Sequence, residues 1–306
     1  MRIQLIVNPF ASSVTPRARV VLEQALSADH DVSIVETKRR GHATRLAQFA
    51  ASDGFDIVAV LGGDGTQNEV ANGLVHTDTA LATLPGGSTN VFARTLGLAD
   101  DPVEATQQIL QAIEANSIAS VGLGSVNRRY FLFHAGIGFD AALIEQVERR
   151  GNLKRYLNHA LFAYAGLTTW LWHYDRKQPR FTIRFPDGTE VTDGYFTICM
   201  NTNPYTYLGS KPFDIATEAT LDRGLVAITM RSLSASKLVP ALIGALRSPD
   251  SLQSKSHIDY QHDLSSFEVI GHAPFPYQVD GDFLGTVSAL RISHEPDVLR
   301  LVQPLT

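Results

Sequence analysis

The stretch Ile57-Val-Ala-Val-Leu-Gly-Gly-Asp-Gly-Thr-Gln-Asn-Glu-Val70 decides the fold, because it joins an apolar run to a glycine-rich break. The run from Asp56 to Leu61 predicts a buried strand, and residues Thr66 to Val75 predict a helix. Glycines at such a turn let the backbone approach a phosphate closely, and the helix start offers N–H groups to anions. Asp64 is a candidate magnesium ligand. A tight turn with Asp64 capping the helix explains the same residues without any ligand.

A second glycine turn follows the next predicted strand, Ala80 to Leu84, in the run Leu84-Pro-Gly-Gly-Ser-Thr-Asn-Val-Phe-Ala-Arg94. Ser88 and Asn90 place short polar side chains at the start of a helix. One such turn is explained by helix capping alone. Two turns on successive strands favour a nucleotide site, because in open α/β sheets ligands bind at the carboxyl ends of strands.

The chain changes character near residue 120. Before it, strand and helix patterns alternate, which predicts βαβ units and a mostly parallel sheet. After it, short strands joined by turns predict a β-rich domain, with a hairpin at Pro186-Asp-Gly-Thr189. Helical patterns interrupt the second part at Leu153 to Tyr174 and Ser236 to Arg247. The predicted strands are Arg2–Val7, Val32–Thr37, Arg129–Phe133, Arg180–Phe185, Gly194–Met200, Leu225–Met230 and Phe267–Ile270, and the predicted N-terminal helices are Arg17–Leu26 and His42–Ala51.

Composition excludes several classes of protein. The 306 residues carry a net charge of -5, which argues against a dedicated nucleic-acid binder. The single cysteine, Cys199, lies in an apolar run and is interpreted as a buried structural thiol. The histidines, His134 among them, lack metal-ligand spacing and are interpreted as structural. Neither a signal peptide nor a membrane-spanning stretch is present, which predicts a cytoplasmic protein whose membrane contact is peripheral.

The two glycine turns together resemble the paired signature of diacylglycerol kinase and sphingosine kinase catalytic domains. The likeness continues at Asn8-Pro9, at Gly41-His-Ala43, at Ala135-Gly-Ile-Gly-Phe-Asp140 and at Val279-Asp-Gly-Asp282, which is similar to the family's Asp-Gly-Glu. The resemblance implies a Rossmann-like α/β nucleotide domain, related to NAD kinases and phosphofructokinases, beside a β-sandwich domain. It places residues 1–120 and the returning segment 296–306 in the nucleotide domain, and 121–295 in a lipid-substrate domain.

The function implied is that of an ATP-dependent lipid kinase, which transfers the γ-phosphate to the hydroxyl of diacylglycerol or a related lipid. Asp280 matches the general base of bacterial members, and Asp64 matches the catalytic magnesium ligand. Without the resemblance, Val279 to Asp282 is interpreted as a hairpin turn. The remaining positions matched to the nucleotide site are Asn8, Thr37, Gly62, Gly63, Gly65, Thr66, Asn68, Glu69, Gly87, Ser88, Asn90 and Asp282.

This chain departs from the family pattern in three places. Val91 replaces an aspartate of the metal network. Asp222-Arg-Gly224 replaces an acidic turn, so Asp222 is a candidate structural magnesium ligand with Arg223 beside it. The loop from Asn8 to Ser13 lacks the usual Ser-Gly-Lys, and Arg17 or Arg19 is a candidate replacement for the missing charge.

The apolar segment from Ala160 to Trp172 has basic flanks that include Lys154 and Arg155, which suits an interfacial helix on anionic lipid. A core helix with solvated ends explains the segment equally well. The expected partner is a lipid substrate at a membrane surface, with a homodimer left open. Two other functions also remain open: a kinase of a soluble acceptor such as NAD or a sugar, and a nucleotide-binding regulatory protein without catalysis.

Overall fold

The computed structural model describes residues 1–149, 164 and 166–305, and these fall into two units. Unit 1 comprises Met1–Leu123 and Pro296–Thr306, and unit 2 comprises Gly124–Glu295. The sequence pattern predicts the first boundary at residue 120. Among the described residues, no helix has the length and apolar character needed to cross a bilayer.

Unit 1 is built on a parallel sheet. Its strands are β1 (Arg2–Val7), β2 (Asp31–Glu36), β3 (Ile57–Gly62) and β4 (Ala80–Pro85), arranged in the order β4-β3-β1-β2. The registers pair Leu5 with Ile34 on one side and with Ala59 on the other. The end of the chain returns to this sheet, where Leu301 pairs in parallel with Leu81.

Helices cover the sheet of unit 1. They are α1 (Pro16–Ser27), α2 (His42–Ser52), α3 (Asp64–Leu74), α4 (Val91–Thr95) and α5 (Pro102–Glu114). Alternate residues of β1, Ile3 and Leu5, pack in one core with Leu22 of α1 and Ile109 of α5. Each such fully buried side chain contributes about 1.5–3 kcal/mol. Strands β3 and β4 are buried along their whole length, as expected for a parallel sheet covered on both faces.

Unit 2 is dominated by antiparallel strands, in the order β14-β13-β10-β7-β15-β16, with β8 paired to β15 and β9 paired to β8. The strands from 118 onward are β5 (Ile118–Val126), β6 (Arg129–Phe131), β7 (His134–Gly138), β8 (Phe181–Arg184), β9 (Glu190–Gly194), β10 (Phe196–Met200), β11 (Thr206–Leu208), β12 (Lys211–Phe213), β13 (Leu225–Met230), β14 (Ile258–Leu264), β15 (Ser266–Val279) and β16 (Asp282–Val302). The helices are α6 (Phe139–Arg149) and α7 (Ala235–Arg247).

The core of unit 2 joins side chains from several strands of this sheet. Phe181 of β8 and Phe267 of β15 pack in one cluster with Cys199 of β10 and Leu225 of β13. Cys199 is buried, as predicted, and burial raises the pKa of its thiol, which suits a structural residue.

Most sequence-predicted elements are confirmed to within two residues, including the hairpin at Pro186–Thr189, where Gly188 has φ +87°. The predicted helix Leu153–Tyr174 falls largely outside the described residues. Within its described part, Thr169–His173 forms a π-helical turn. The basic positions Lys154 and Arg155 also lie outside the described residues.

Candidate active site

The strand order of unit 1 reverses at β1. The chain passes from β1 to β2 on one side and then crosses to β3 on the other. In open α/β sheets, ligands bind beyond the carboxyl ends of the strands at such a reversal. Asn8 follows β1 there, and its side-chain amide donates to the hydroxyl of Thr66 at 2.9 Å. These two predicted site residues therefore connect the ends of β1 and β3.

The two glycine turns pack directly against each other through backbone atoms, with no side chain between them. Gly86 N–H donates to Gly62 O at 3.0 Å. A Cβ added to Gly86 would lie 2.8 Å from the Gly62 nitrogen, and one added to Gly87 would lie 2.8 Å from the Gly63 Cα. Real Cβ atoms do not approach backbone this closely, so glycine is required for packing at Gly86 and Gly87.

We expect Gly86→Ala to lower the free energy of unfolding by about 2 kcal/mol, because the methyl group must displace backbone on a neighbouring turn. Denaturant unfolding measures this loss. Ser88→Ala, at an exposed position of the same turn, is the control and is expected to cost less than about 0.5 kcal/mol. Equal stabilities of the two variants would contradict the packing argument.

Asn90 holds the second turn in place. It adopts a left-handed conformation with φ +51°, and its side-chain oxygen accepts from the N–H groups of Gly87 (2.7 Å) and Gly86 (3.2 Å). Its side-chain nitrogen donates to the Asp100 carboxylate at 2.7 Å. Asn90 therefore shapes the turn from within. Asp100 was not predicted as a site residue, because it precedes Asp101-Pro102, a pattern typical of an ordinary helix N-terminus.

Asp64 links the first glycine turn to helix α4, which follows the second turn. Helix α3 begins at Asp64 with no side-chain cap, so the alternative that Asp64 caps its own helix is wrong. Its carboxylate instead accepts from the Phe92 N–H of α4 at 3.0 Å. Burial raises the pKa of Asp64, backbone N–H groups oppose that rise, and the charge of Asp100 adds to it. The charged form of Asp64 is therefore disfavoured in this site, and a bound cation would favour it.

The donor set around Asp64 fits magnesium, which binds to one or two carboxylates and leaves its other positions to water and phosphate. No cluster of three or more metal-ligating side chains occurs in the described part of the chain. The residues around Asp222 do not fit. Thr220 hydrogen-bonds Asp222 and lowers its pKa, while the guanidinium of Arg223 pairs with Asp263. The prediction of a structural magnesium ion at Asp222 has no supporting ligand set among the described residues.

Other predicted residues of unit 1 have roles inside the fold. The Glu69 carboxylate accepts from Gly41 N–H (2.7 Å) and Ala43 N–H (3.1 Å), which caps the start of α2. Asn68 is buried, and the Asn72 side chain donates to it. The Glu69 carboxylate and the Asn68 side-chain oxygen thus have partners within the helices, and their assignment to the nucleotide site stays a prediction. Thr37 is buried beside β1, Gly63 caps α3, Gly65 lies in its first turn, and Ser88 is exposed.

The basic residues proposed to replace the missing lysine differ in their surroundings. Arg19 pairs with Glu36 at the end of β2, so its charge is already balanced. Arg17 is exposed on α1. Of the two candidates, only Arg17 keeps a positive charge that no described residue balances through an ion pair.

Asp280 occupies the hairpin between β15 and β16, where Val279 pairs with Asp282. Asp280 and Gly281 have φ +47° and +77°, as a type I′ turn requires. The Asp280 carboxylate accepts from three backbone N–H groups, those of Leu132 (2.7 Å), Phe133 (3.0 Å) and His134 (3.1 Å). The residue is therefore both a hairpin residue and an anchor for the chain entering β7. Such donors stabilise the ionised carboxylate.

Asp282 forms an ion pair with Arg129 at 3.2 Å, and both side chains are partly exposed. The family resemblance alone places Asp282 among the nucleotide-site residues. In unit 2, its charge is compensated by Arg129, a pairing that 153 residues of separation concealed.

A buried polar cluster in unit 2 was not foreseen. Asp140 is 6% exposed, and its carboxylate accepts from the Tyr205 hydroxyl (2.6 Å) and the Gln278 amide (2.8 Å). Gln278 accepts in turn from Gly281 N–H at 2.8 Å, so the network reaches the Asp280 turn. An added Cβ on Gly136 would lie 1.7 Å from the Asp140 carboxylate, which makes glycine necessary there. The pair of glycines in Gly136-Ile-Gly138 was the available signal.

We expect His134 to make the fold acid-sensitive. It is 5% exposed, and neither ring nitrogen has a hydrogen-bond partner among the described atoms. Burial lowers its pKa to about 4, against the opposing charge of Asp140. The unfolded chain therefore binds the proton first, and stability is lost as pH falls from about 6.5 towards 4. Between pH 7 and 5 the wild type should lose about 2 kcal/mol more than His134→Phe. Parallel pH profiles of unfolding would exclude this role.

Known diacylglycerol kinases are similar to this chain in sequence. The family model for the diacylglycerol kinase catalytic domain matches residues 2–126. A diacylglycerol kinase of Staphylococcus aureus (strain JH9) is 33% identical over 235 residues, which cover 64% of this chain and 69% of that protein. The chain belongs to the diacylglycerol kinase catalytic-domain family. The resemblance inferred from the two glycine turns is confirmed.

Other members of the diacylglycerol kinase family define how far the likeness extends. A probable YegS-like lipid kinase of Chromohalobacter salexigens is 34% identical over 181 residues, covering 58% of this chain and 55% of the relative, little more than half of its length. A solved diacylglycerol kinase structure from Bacillus anthracis superposes with a TM-score of 0.76 at 25% identity, covering 99% of this chain and 96% of that one.

An NAD kinase from Archaeoglobus fulgidus, solved with ATP, shares the fold at a TM-score of 0.56 and 12% identity, covering 99% of this chain and 94% of that one. The predicted relation to the NAD kinase fold is therefore confirmed.

Proposed function

We propose that this chain is an ATP-dependent lipid kinase that phosphorylates the hydroxyl of diacylglycerol or a related lipid. One observation carries the proposal. Two glycine turns of unit 1 pack directly against each other through their backbones, and the Asp64 carboxylate bonds the start of the helix that follows the second turn. Membership of the diacylglycerol kinase family supports the choice of a lipid acceptor.

Each part of the unit 1 site has a proposed task in binding the nucleotide. The glycine turns admit the phosphates close to backbone N–H groups, while Asn8 and Thr66 fix the first turn. Asn90 fixes the conformation of the second turn by accepting from its backbone N–H groups. Asp64 would hold magnesium, which neutralises charge on the transferred phosphoryl group. Binding and positioning account for most of the catalysis in reactions of this type.

The transfer forms a bond between the lipid hydroxyl oxygen and the γ-phosphorus, while the bond from phosphorus to the β-phosphate oxygen breaks. The hydroxyl proton needs an acceptor, and we propose Asp280 for that task. Three backbone N–H groups fix the position of its carboxylate, but they also occupy both carboxylate oxygens as acceptors. That anchoring is the observation that favours the second candidate, a nucleotide-binding regulatory protein without catalysis.

Incubation with γ-labelled ATP, magnesium, lipid extract and a mixture of soluble metabolites tests the proposal, with mass spectrometry identifying the product. Label in a lipid, formed by wild type but not by Asp64→Asn, is the expected result. Label in a soluble compound instead would indicate an NAD- or sugar-kinase-like enzyme. Tight ATP binding without any labelled product would support the regulatory protein.

A further inference from the structure

Helix α7 of unit 2 presents four of its five large apolar residues outward, while the fifth, Leu238, packs against the core. Its buried positions are the small residues Ala241 and Ala245. Val239, Leu242, Ile243 and Leu246 are exposed by 51%, 52%, 43% and 55%. Their spacing of three, one and three residues places them on one face of the helix, here called the α7 stripe. A surface helix ordinarily buries its large apolar residues, so this arrangement is reversed.

The apolar surface continues beyond the helix. The β11–β12 hairpin carries Leu208 next to Gly209, and Leu208 is 41% exposed. Leu208 and Leu246 line the same shallow depression, together with Phe213. A contiguous apolar patch of this kind marks an interaction site more often than scattered exposed residues do.

Positive charge surrounds the α7 stripe. Lys237 and Arg247 lie near the two ends of α7, which contains no acidic residue, and Lys211 lines the depression beside Leu246. None of these three forms an ion pair with any residue that the structure describes. Acidic residues near α7 include Asp214, whose carboxylate accepts from Asn203, Glu218, whose carboxylate accepts from Gln253, and Asp250 after the helix end.

We propose that the α7 stripe is the surface by which this chain binds an anionic lipid bilayer. An apolar helix face that enters the headgroup boundary, with lysine and arginine beside it, is the arrangement of an interfacial helix. The basic border disfavours a second copy of this chain, because like charges would face each other across such an interface. The inference rests on the proposed function for its purpose, since a lipid kinase must reach a substrate held in a membrane.

Sedimentation with vesicles tests the proposal without ATP or substrate. Vesicles of phosphatidylglycerol and phosphatidylcholine, and vesicles of phosphatidylcholine alone, are the probes. The variant Leu242→Gln with Ile243→Gln removes the apolar contact while keeping helix propensity. Its matched control is Phe49→Gln on α2, where Phe49 is 69% exposed. Lys237→Glu with Arg247→Glu tests the charge, and Arg45→Glu is its control.

The expected result is that the wild type binds the anionic vesicles and that each double variant binds at least about tenfold more weakly. Both controls should bind like the wild type, and high salt should weaken the wild type. Absence of wild-type binding, or equal binding by the α7 variants, overturns the proposal. Loss of binding confined to Lys154→Glu with Arg155→Glu would assign the contact to the segment predicted from sequence and also overturn it.

The vesicle-binding experiment and the lipid screen can fail independently of each other. If the lipid screen fails but the α7 variants lose vesicle binding, the surface is established and the reaction is wrong. If the screen succeeds and the α7 variants bind vesicles normally, the reaction stands and the surface is wrong.

Discussion

Replacing Asp64 with asparagine is expected to lower the rate of phosphoryl transfer about a thousandfold while the protein stays folded. The carboxylate is the proposed magnesium ligand, and removing one preorganised electrostatic contact of this kind costs about 10²–10³ in rate, with metal loss adding to it. The fold tolerates the change because burial and Asp100 already disfavour a charge at Asp64. The amide oxygen of the substituted side chain still accepts a hydrogen bond from Phe92 N–H.

The measurement is the initial rate of label transfer from ATP to lipid, with the melting temperature as the check on folding. The direction of the Asp64 pKa shift determines whether Asp64→Asn is more or less stable than wild type. The folded-state pKa is raised, so the unfolded chain releases this proton first and stability is lost as pH rises from the ordinary carboxyl pKa through the raised one. Asp64→Asn lacks that loss and should be at least as stable as wild type at pH 7. Asp53→Asn, on an exposed pair with Arg2, is the control. A rate for Asp64→Asn within tenfold of wild type would remove Asp64 from the mechanism.

Much of unit 1 follows from local patterns. Apolar runs such as Ile57 to Leu61 predict buried strands, and the glycine breaks after them predict where each strand ends. The two turns come together because parallel strands bring their carboxyl ends to one edge of the sheet. The candidate nucleotide site could therefore be located from sequence, and Asn8 and Thr66, both matched to it, do lie in contact.

The hydrogen-bond partners could not be predicted in the same way. Asn90 and Glu69 are predicted nucleotide-site residues, which stays a prediction; the sequence did not reveal that their side chains accept from backbone N–H groups of the turn and of α2. Such bonds depend on the direction of each side chain, which spacing along the chain does not reveal. The same residue types serve for capping and for phosphate binding, so the motif alone does not separate the two tasks.

Long-range pairs in unit 2 were hidden for a different reason. Asp140 and Gln278 lie 138 residues apart and meet only because β7 pairs with β15. No periodic pattern encodes such a meeting. The hairpin at Asp280-Gly281 was foreseen from its turn chemistry, whereas the three donors to Asp280 depend on the path of residues 132–134.

Replacing Asp280 with alanine is expected to lower the free energy of unfolding by at least about 3 kcal/mol. Three buried N–H groups lose their acceptor, at about 1–3 kcal/mol each before relaxation, and alanine is poorly suited to φ +47°. Asparagine tolerates that conformation and keeps one carbonyl oxygen for Phe133 and His134, so Asp280→Asn should lose only about 1–2 kcal/mol. Denaturant unfolding of both variants measures the difference.

The same pair of variants separates an anchor from a general base. An amide cannot accept the hydroxyl proton, so if Asp280 is the base, Asp280→Asn loses at least about 100-fold in rate at a temperature where it is fully folded. If Asp280 only anchors residues 132–134, the folded asparagine variant keeps its rate to within a few-fold, and the proton must leave by another route. Asp282→Asn, which breaks the partly exposed pair with Arg129, is the control and should cost no more than about 1 kcal/mol. A stable, active Asp280→Asn protein would therefore exclude the proposed base while leaving the nucleotide site intact.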